Sequence, residues 1–263
     1  MNLMFFQQSL QPISLHHIEQ IAILVLYSSF SVLIWFLLAL WFDRRDPEPA
    51  RQLFRTFFLG SLMALLMFFI NNYLVSELKS LEILKNALFF TLAISFIIDG
   101  VLEEGGKLFA LFKVYRFKDF DQPLDGIIYG MILGLGFAFV ENIFYGLSAQ
   151  SMETAKNLLL LRGLTSTFMH FVSGGILGYS FGLAKFYQRK KLLLIFSGYI
   201  SAFLFHGSYN LIARINFDWI LLPLIIWLFI SYEGVLKKIS YLTRISPNLL
   251  AIMKRDCRLN PKD

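Results

Sequence analysis

One cysteine, Cys257, occurs in 263 residues, so the chain forms no internal disulfide. It sits in a basic C-terminal stretch with nothing around it to activate a thiol, and it reads as inert. Equally absent are a linker long enough to separate two domains, a low-complexity tract and an internal repeat. These absences point to one domain and tell against carriers built from inverted repeats. Charge is scarce as well, at 16% of residues. No proline interrupts an apolar run near its middle, as the broken helices of transporters would require. The first 20 residues hold no Lys or Arg and no convincing cleavage site, so the first apolar run is expected to remain as a span rather than be removed as a signal peptide.

What the chain does have is apolar sequence: 57% hydrophobic residues, 17% aromatic, 29 of them Phe. The apolar residues fall in runs of roughly twenty, the length that crosses a bilayer's hydrocarbon core. Seven spans are predicted, near 21–42, 53–76, 87–115, 126–149, 158–187, 191–213 and 218–237. The fold class is therefore all-α, a polytopic helical membrane protein of about seven transmembrane helices around a polar intramembrane cavity. Residues 1–263 form a single integral membrane domain, with a core over 21–237 and a basic tail over 238–263. Eighteen Lys and Arg flank the loops after spans one, three and five and the tail, against five on the other side (Lys79, Lys85, Lys156, Arg162 and Arg214). The positive-inside rule then puts the N-terminus outside and the C-terminus in the cytoplasm. The net charge of +6 is accounted for by these loops, which face anionic lipid headgroups; nucleic acid is not an expected partner. The tail lies on the membrane surface or is unstructured, readings its composition does not separate.

Against this background the segment Asp99-Gly-Val-Leu-Glu-Glu-Gly-Gly-Lys107 stands out. A charge at the centre of a spanning helix costs about 2.5 to 3.5 kcal/mol, so Glu103, Glu104 and Lys107 must face a polar interior. Three further spans carry polar groups: Glu141 and Asn142, His170, then His206 with Asn210. Glu141, His170 and His206 each fall about three residues, or about 4 to 5 Å, to the outer side of their span's midpoint. One shared layer is expected. Within it Lys107 is placed to neutralise Glu103 at i,i+4, and one of two neighbouring carboxylates is suited to take a proton from water. Glu141, His170 and His206 make a plausible cage for Zn²⁺, with Asn210 a weak ligand or an oxyanion donor. Arg162, near the outer boundary, is expected to snorkel, and Tyr145 and Tyr209 to fill space. Gly126, Gly130 and Gly134 line one face of span four, and Gly174, Gly178 and Gly182 one face of span five, which predicts close helix packing.

Four motifs in order, Glu103-Glu-Gly-Gly-Lys107, Phe137-Ala-Phe-Val-Glu-Asn142, the span with His170, and His206-Gly-Ser-Tyr-Asn210, resemble the PrsW-type intramembrane proteases, relatives of the CAAX prenyl endopeptidases. The loop Asp46-Pro-Glu-Pro49 and Pro123-Leu-Asp-Gly-Ile-Ile-Tyr-Gly130 are similar to that family too, so the likeness covers about residues 40 to 215. It implies hydrolysis of a peptide bond in a membrane-anchored protein substrate within a bacterial cell membrane. By likeness, Glu103 and Glu104 are the glutamates of the first motif, Glu141 the acid of the second, and His170 and His206 the later histidines. Asn210 departs from relatives that carry Asp. Glu104 is the first choice for the base, and zinc-dependent and metal-free glutamate mechanisms both stay open. The rival reading is a proton- or cation-coupled transporter or channel, which also needs intramembrane carboxylates and histidines.

Overall fold

Apolar side chains turned outward and polar ones turned inward distinguish this molecule from a soluble bundle. Leu26, Phe54, Phe58, Leu192 and Phe196 are all more than half exposed, whereas Glu104, Lys107, Asn142, His170 and His206 are fully buried. A lipid solvent produces that inversion, since backbone polar groups are satisfied within helices and the outer surface need only be apolar. The computed structural model describes residues 15–214 apart from 45, 79 and 82–85, with isolated positions between 226 and 241.

The described chain is helical throughout. Helix α1 spans Leu15–Asp43 and α2 spans Ala50–Leu78. A third rod is composite: α3 (Ala87–Leu92), a π-helical segment (Ala93–Glu103) and α4 (Glu104–Val114) follow one another without a break. Helix α5 covers Pro123–Leu147, α6 Met152–Leu164, α7 Ser166–Phe186 and α8 Lys191–Arg214. Pro123 opens α5 at a position where its missing N–H costs nothing. Asp125 Oδ2 accepts from the backbone N–H of Gln122 at 2.6 Å and of Asp121 at 2.9 Å, as part of a capping box with Gln122 at the N-cap.

Among the described residues, four helices are long and apolar enough to cross a membrane, within 18–43, 50–78, 123–147 and 188–214, and not the seven expected. The composite rod is divided into segments of 6, 11 and 11 residues, and in α7 His170 and the many Ser and Gly residues lower the hydropathy. The predicted span 158–187 is not one helix: it breaks at Thr165, between the 13-residue α6 and α7. Helix α6 is held against α1, where Trp35 Nε1 donates to the carbonyl of Gly163 at 2.7 Å and Ser31 Oγ to that of Leu159 at 3.1 Å. The predicted seventh span, the tail and Cys257 lie almost entirely outside the described residues.

Glycine stripes set the helix spacing. A Cβ on Gly130 would lie 2.1 Å from the carbonyl oxygen of Gly174, and one on Gly134 2.1 Å from that of His170, so α5 and α7 touch backbone to backbone. Gly136 does the same against Phe57 of α2. With α5 central, the loops at 44–49, 115–122 and 187–190 gather at one end, joined by Gln52 Nε2 to Asp119 Oδ2 at 2.7 Å and by Gln122 to Asp46.

Candidate active site

Charged groups survive inside an apolar bundle only where they satisfy one another. Lys107, one turn into α4, donates to Glu104 Oε1 at 2.6 Å and to Ser173 Oγ at 3.1 Å, and meets His170 Nδ1 at 2.8 Å. Its carboxylate partner is thus Glu104, not Glu103 as the i,i+4 spacing predicts. The π-helical segment ends at Glu103, so α-helical register with Lys107 begins only at Glu104.

Glu104 Oε1 is also 2.7 Å from His206 Nδ1. A carboxylate only accepts, so His206 carries its proton on Nδ1 and presents a lone pair at Nε2. By the same logic, a lysine donating to His170 Nδ1 leaves the His170 proton on Nε2, 2.7 Å from Glu141 Oε2. Glu141 Oε2 in turn accepts from Arg162 at 2.6 Å. Arg162 does not snorkel. Its Nε donates to Asn142 Oδ1 at 2.8 Å, its guanidinium lies 3.6 Å from the centre of the Tyr145 ring, and its side chain is only 11% exposed. Tyr145 is therefore a cation–π platform, whereas Tyr209 packs in the interior against Trp227.

These contacts join into one string, Arg162, Glu141, His170, Lys107, Glu104 and His206, drawn from α6, α5, α7, α4 and α8. The shared layer expected from span depths is present as continuous side-chain contact. The His170 and His206 rings stand edge-on at 4.9 Å, and Phe137 packs beside both Lys107 and His170.

Glu103 points the other way from Glu104, into a cavity of about 540 Å³ between α2, the π-helical segment and α5. Phe68, Ile94, Phe137 and Phe144 give it apolar walls, and Asn71, Asp99, Glu141 and Arg214 are among its polar members. Asn71 Nδ2 donates to Glu103 Oε1 at 2.8 Å. Glu103 Oε2 and His206 Nε2 lie 3.9 Å apart, and neither has a hydrogen-bond partner among the described residues. Asn210 sits apart from this pair: it donates to Asp99 Oδ2 at 3.0 Å, and Asp99 also pairs with Arg214 at 2.5 Å. Asn71, Asp99, Arg162 and Arg214 are the site members that the motif reading does not supply. For Asn71 the signal was present, as two adjacent asparagines within the apolar run of span two.

Ligand-capable atoms of Glu103, His170 and His206 lie within 4.8 Å of one another, close enough to hold a metal ion. Glu141, the oxygen ligand expected from sequence, is engaged by Arg162 and His170. Two orphaned buried atoms, one carboxylate oxygen and one imidazole nitrogen, suit a divalent metal that accepts N and O donors.

The chain is similar to known proteins over most of its length. The family model described as PrsW family intramembrane metalloprotease matches residues 48–233. Protease PrsW of Oceanobacillus iheyensis is 36% identical over 76% of this chain and 88% of its own length. Protease PrsW of Bacillus subtilis is 34% identical over 74% and 84%, and that of Clostridioides difficile 28% identical over 75% and 82%. No solved structure matches.

Proposed function

Since this chain belongs to the PrsW family of intramembrane proteases, we propose that it cuts membrane-anchored proteins with a water placed between Glu103 and His206. The observation that carries this reading is the pair of unpartnered atoms, Glu103 Oε2 and His206 Nε2, facing each other at 3.9 Å, with Glu103 itself lining the cavity. Both are acceptors, so a water held there donates to each and turns its own lone pair toward a substrate carbonyl. Glu103 takes the proton as the water attacks and returns it to the leaving amine. Glu104, favoured as base on sequence grounds, is already committed to Lys107 and His206; its work is to fix the His206 tautomer. Arg162 and Glu141 hold His170 in the same way, and Asn210 steadies Asp99 at the cavity wall.

The residues fit a metal as well. Zinc held by Glu103, His170 and His206 would supply Lewis-acid activation of the same water. For that, His170 would have to release Lys107 or Glu141, since both of its ring nitrogens are engaged, whereas Glu103 Oε2 and His206 Nε2 are free as they stand. The chain is an integral membrane protein, and the excess of Lys and Arg at the end holding loops 44–49, 115–122 and 187–190 supports placing that end in the cytoplasm. The cavity then opens toward the opposite face.

Glu103→Gln is expected to lower cleavage of a reporter membrane substrate by about 10²- to 10⁴-fold, the usual contribution of a general base, with folding retained. Normal cleavage by this variant sinks the proposal. Elemental analysis of purified wild type beside His170→Ala and His206→Ala separates the two forms of the mechanism. Metal lost from both variants supports a bound zinc, and an active wild type without metal supports the protein-only form.

A further inference from the structure

We propose that Asn71, on α2 and outside every motif discussed above, is a positioning residue that decides which oxygen of Glu103 acts. The inference rests on the proposed role of Glu103 as base. A carboxylate has two equivalent oxygens and a freely turning terminal bond, so one held by a single contact presents a mixture of orientations. Asn71 removes that freedom by donating to Oε1 at 2.8 Å. Oε2 is thereby left as the proton acceptor opposite His206 Nε2.

Two further observations support the assignment. Asn71 Oδ1 is buried and has no partner among the described residues, as is true of Glu103 Oε2, Glu104 Oε2 and His206 Nε2. The carboxamide is thus used for what its NH₂ end does, at the cost of an unsatisfied carbonyl end. The height of Asn71 is also set by packing. Met67, one turn earlier on α2, lies over Gly106, where an added Cβ would come within 3.2 Å of Met67 Cγ. The glycine of the Glu103-Glu-Gly-Gly-Lys107 motif thus lets α2 approach closely enough for the Asn71 amide to reach the carboxylate.

The test uses full-length protein purified in detergent, with kcat, KM and thermal unfolding measured for Asn71→Ala, Asn71→Leu and Glu103→Gln. Ser61→Ala serves as a packing reference, because Ser61 Oγ bonds only backbone carbonyls, that of Gly136 on α5 at 3.0 Å and that of Phe57 on its own helix at 3.1 Å. Both Asn71 variants are expected to lose roughly 10- to 100-fold in kcat, the effect of one hydrogen bond to a charged group, with KM within about twofold and melting close to wild type. Ser61→Ala keeps its kcat. Asn71→Leu fills the space of the amide and gives the readout should the smaller side chain fail to fold. Wild-type kcat in both Asn71 variants beside an inactive Glu103→Gln overturns this inference alone. So does a change confined to KM, or unfolding of both variants. If Glu103→Gln is also fully active, the proposed base itself falls.

Discussion

Individual side chains in this molecule are defined by what they are forbidden to do. Glu104 cannot be free, because an unpaired carboxylate beside Lys107 would leave two buried charges uncompensated; it therefore orients His206. Glu103 is spared that duty and faces the cavity. Outside the membrane, Glu48 shows a related constraint in the loop before α2. It is 9% exposed, accepts from Tyr129 Oη, and has its own backbone N–H bound to Asp43 Oδ2 at 2.8 Å. Burial, reinforced by nearby Asp125, pushes its carboxyl from the usual 4.5 up to about 9. Between those values the folded protein holds a proton that the unfolded chain releases, so Glu48 makes stability fall as pH rises from about 4.5 to about 9. Glu48→Gln keeps an acceptor for Tyr129 and has no proton to lose. It is expected to melt above wild type at pH near 9, by about 2 to 4 °C for each kcal/mol recovered, and to approach wild type near pH 5. Thermal unfolding across that range checks the sign, and a parallel pair of curves contradicts it.

At the scale of elements, the site depends on how closely helices approach. Glu141 rides on α5 and His170 on α7, and the glycine stripes bring the two backbones into contact. Gly130→Ala would drive a methyl to 2.1 Å from the Gly174 carbonyl oxygen, which only helix separation relieves. A loss of about 1 to 3 kcal/mol or more is expected, together with reduced cleavage, because the Glu141 to His170 contact opens with the helices. At Gly105 the nearest atom to an added Cβ is Tyr199 Oη at 3.6 Å, so Gly105→Ala should keep its stability. Unfolding of both variants in detergent makes the comparison. The composite rod teaches a related lesson. Regular α-helical spacing predicts a Glu103–Lys107 pair, but the π-helical segment shifts register just before Glu103 and hands Lys107 to Glu104. Such segments gather at functional sites, and no residue in Ala93–Glu103 announces one.

For the whole molecule, three basic loops meet at one end and the cavity lies toward the other, an asymmetry that orientation in the membrane turns into a direction of action. With Cys257→Ser as a thiol-free background, single cysteines at the exposed positions Lys118 and Gln150 report the topology. A membrane-impermeant thiol reagent added to intact cells is expected to label position 150, and position 118 only after permeabilisation. Labelling in the reverse pattern would invert the proposed placement. Membrane class, the boundaries of the long helices and the common depth of the polar residues were legible in the chain, because hydropathy and helical rise are local quantities. The break at Thr165 was passed over although it lies in the polar stretch Arg162-Gly-Leu-Thr-Ser-Thr167, and the docking of α6 onto α1 is a contact between segments far apart in the chain.

Composition and order by themselves determined that this protein lives in a bilayer, that α5 and α7 pack closely, and that Glu103, Glu104, Glu141, His170 and His206 belong together. The reason is energetic: charge in lipid is too costly to be scattered, so its mere presence implies a shared interior. Tertiary structure alone decided the pairing within that interior. Which glutamate Lys107 takes, that Arg162 turns inward to Glu141, and that Asn71 reaches Glu103 depend on the rotation of each helix about its axis. That rotation is set by contacts between helices far apart in the chain.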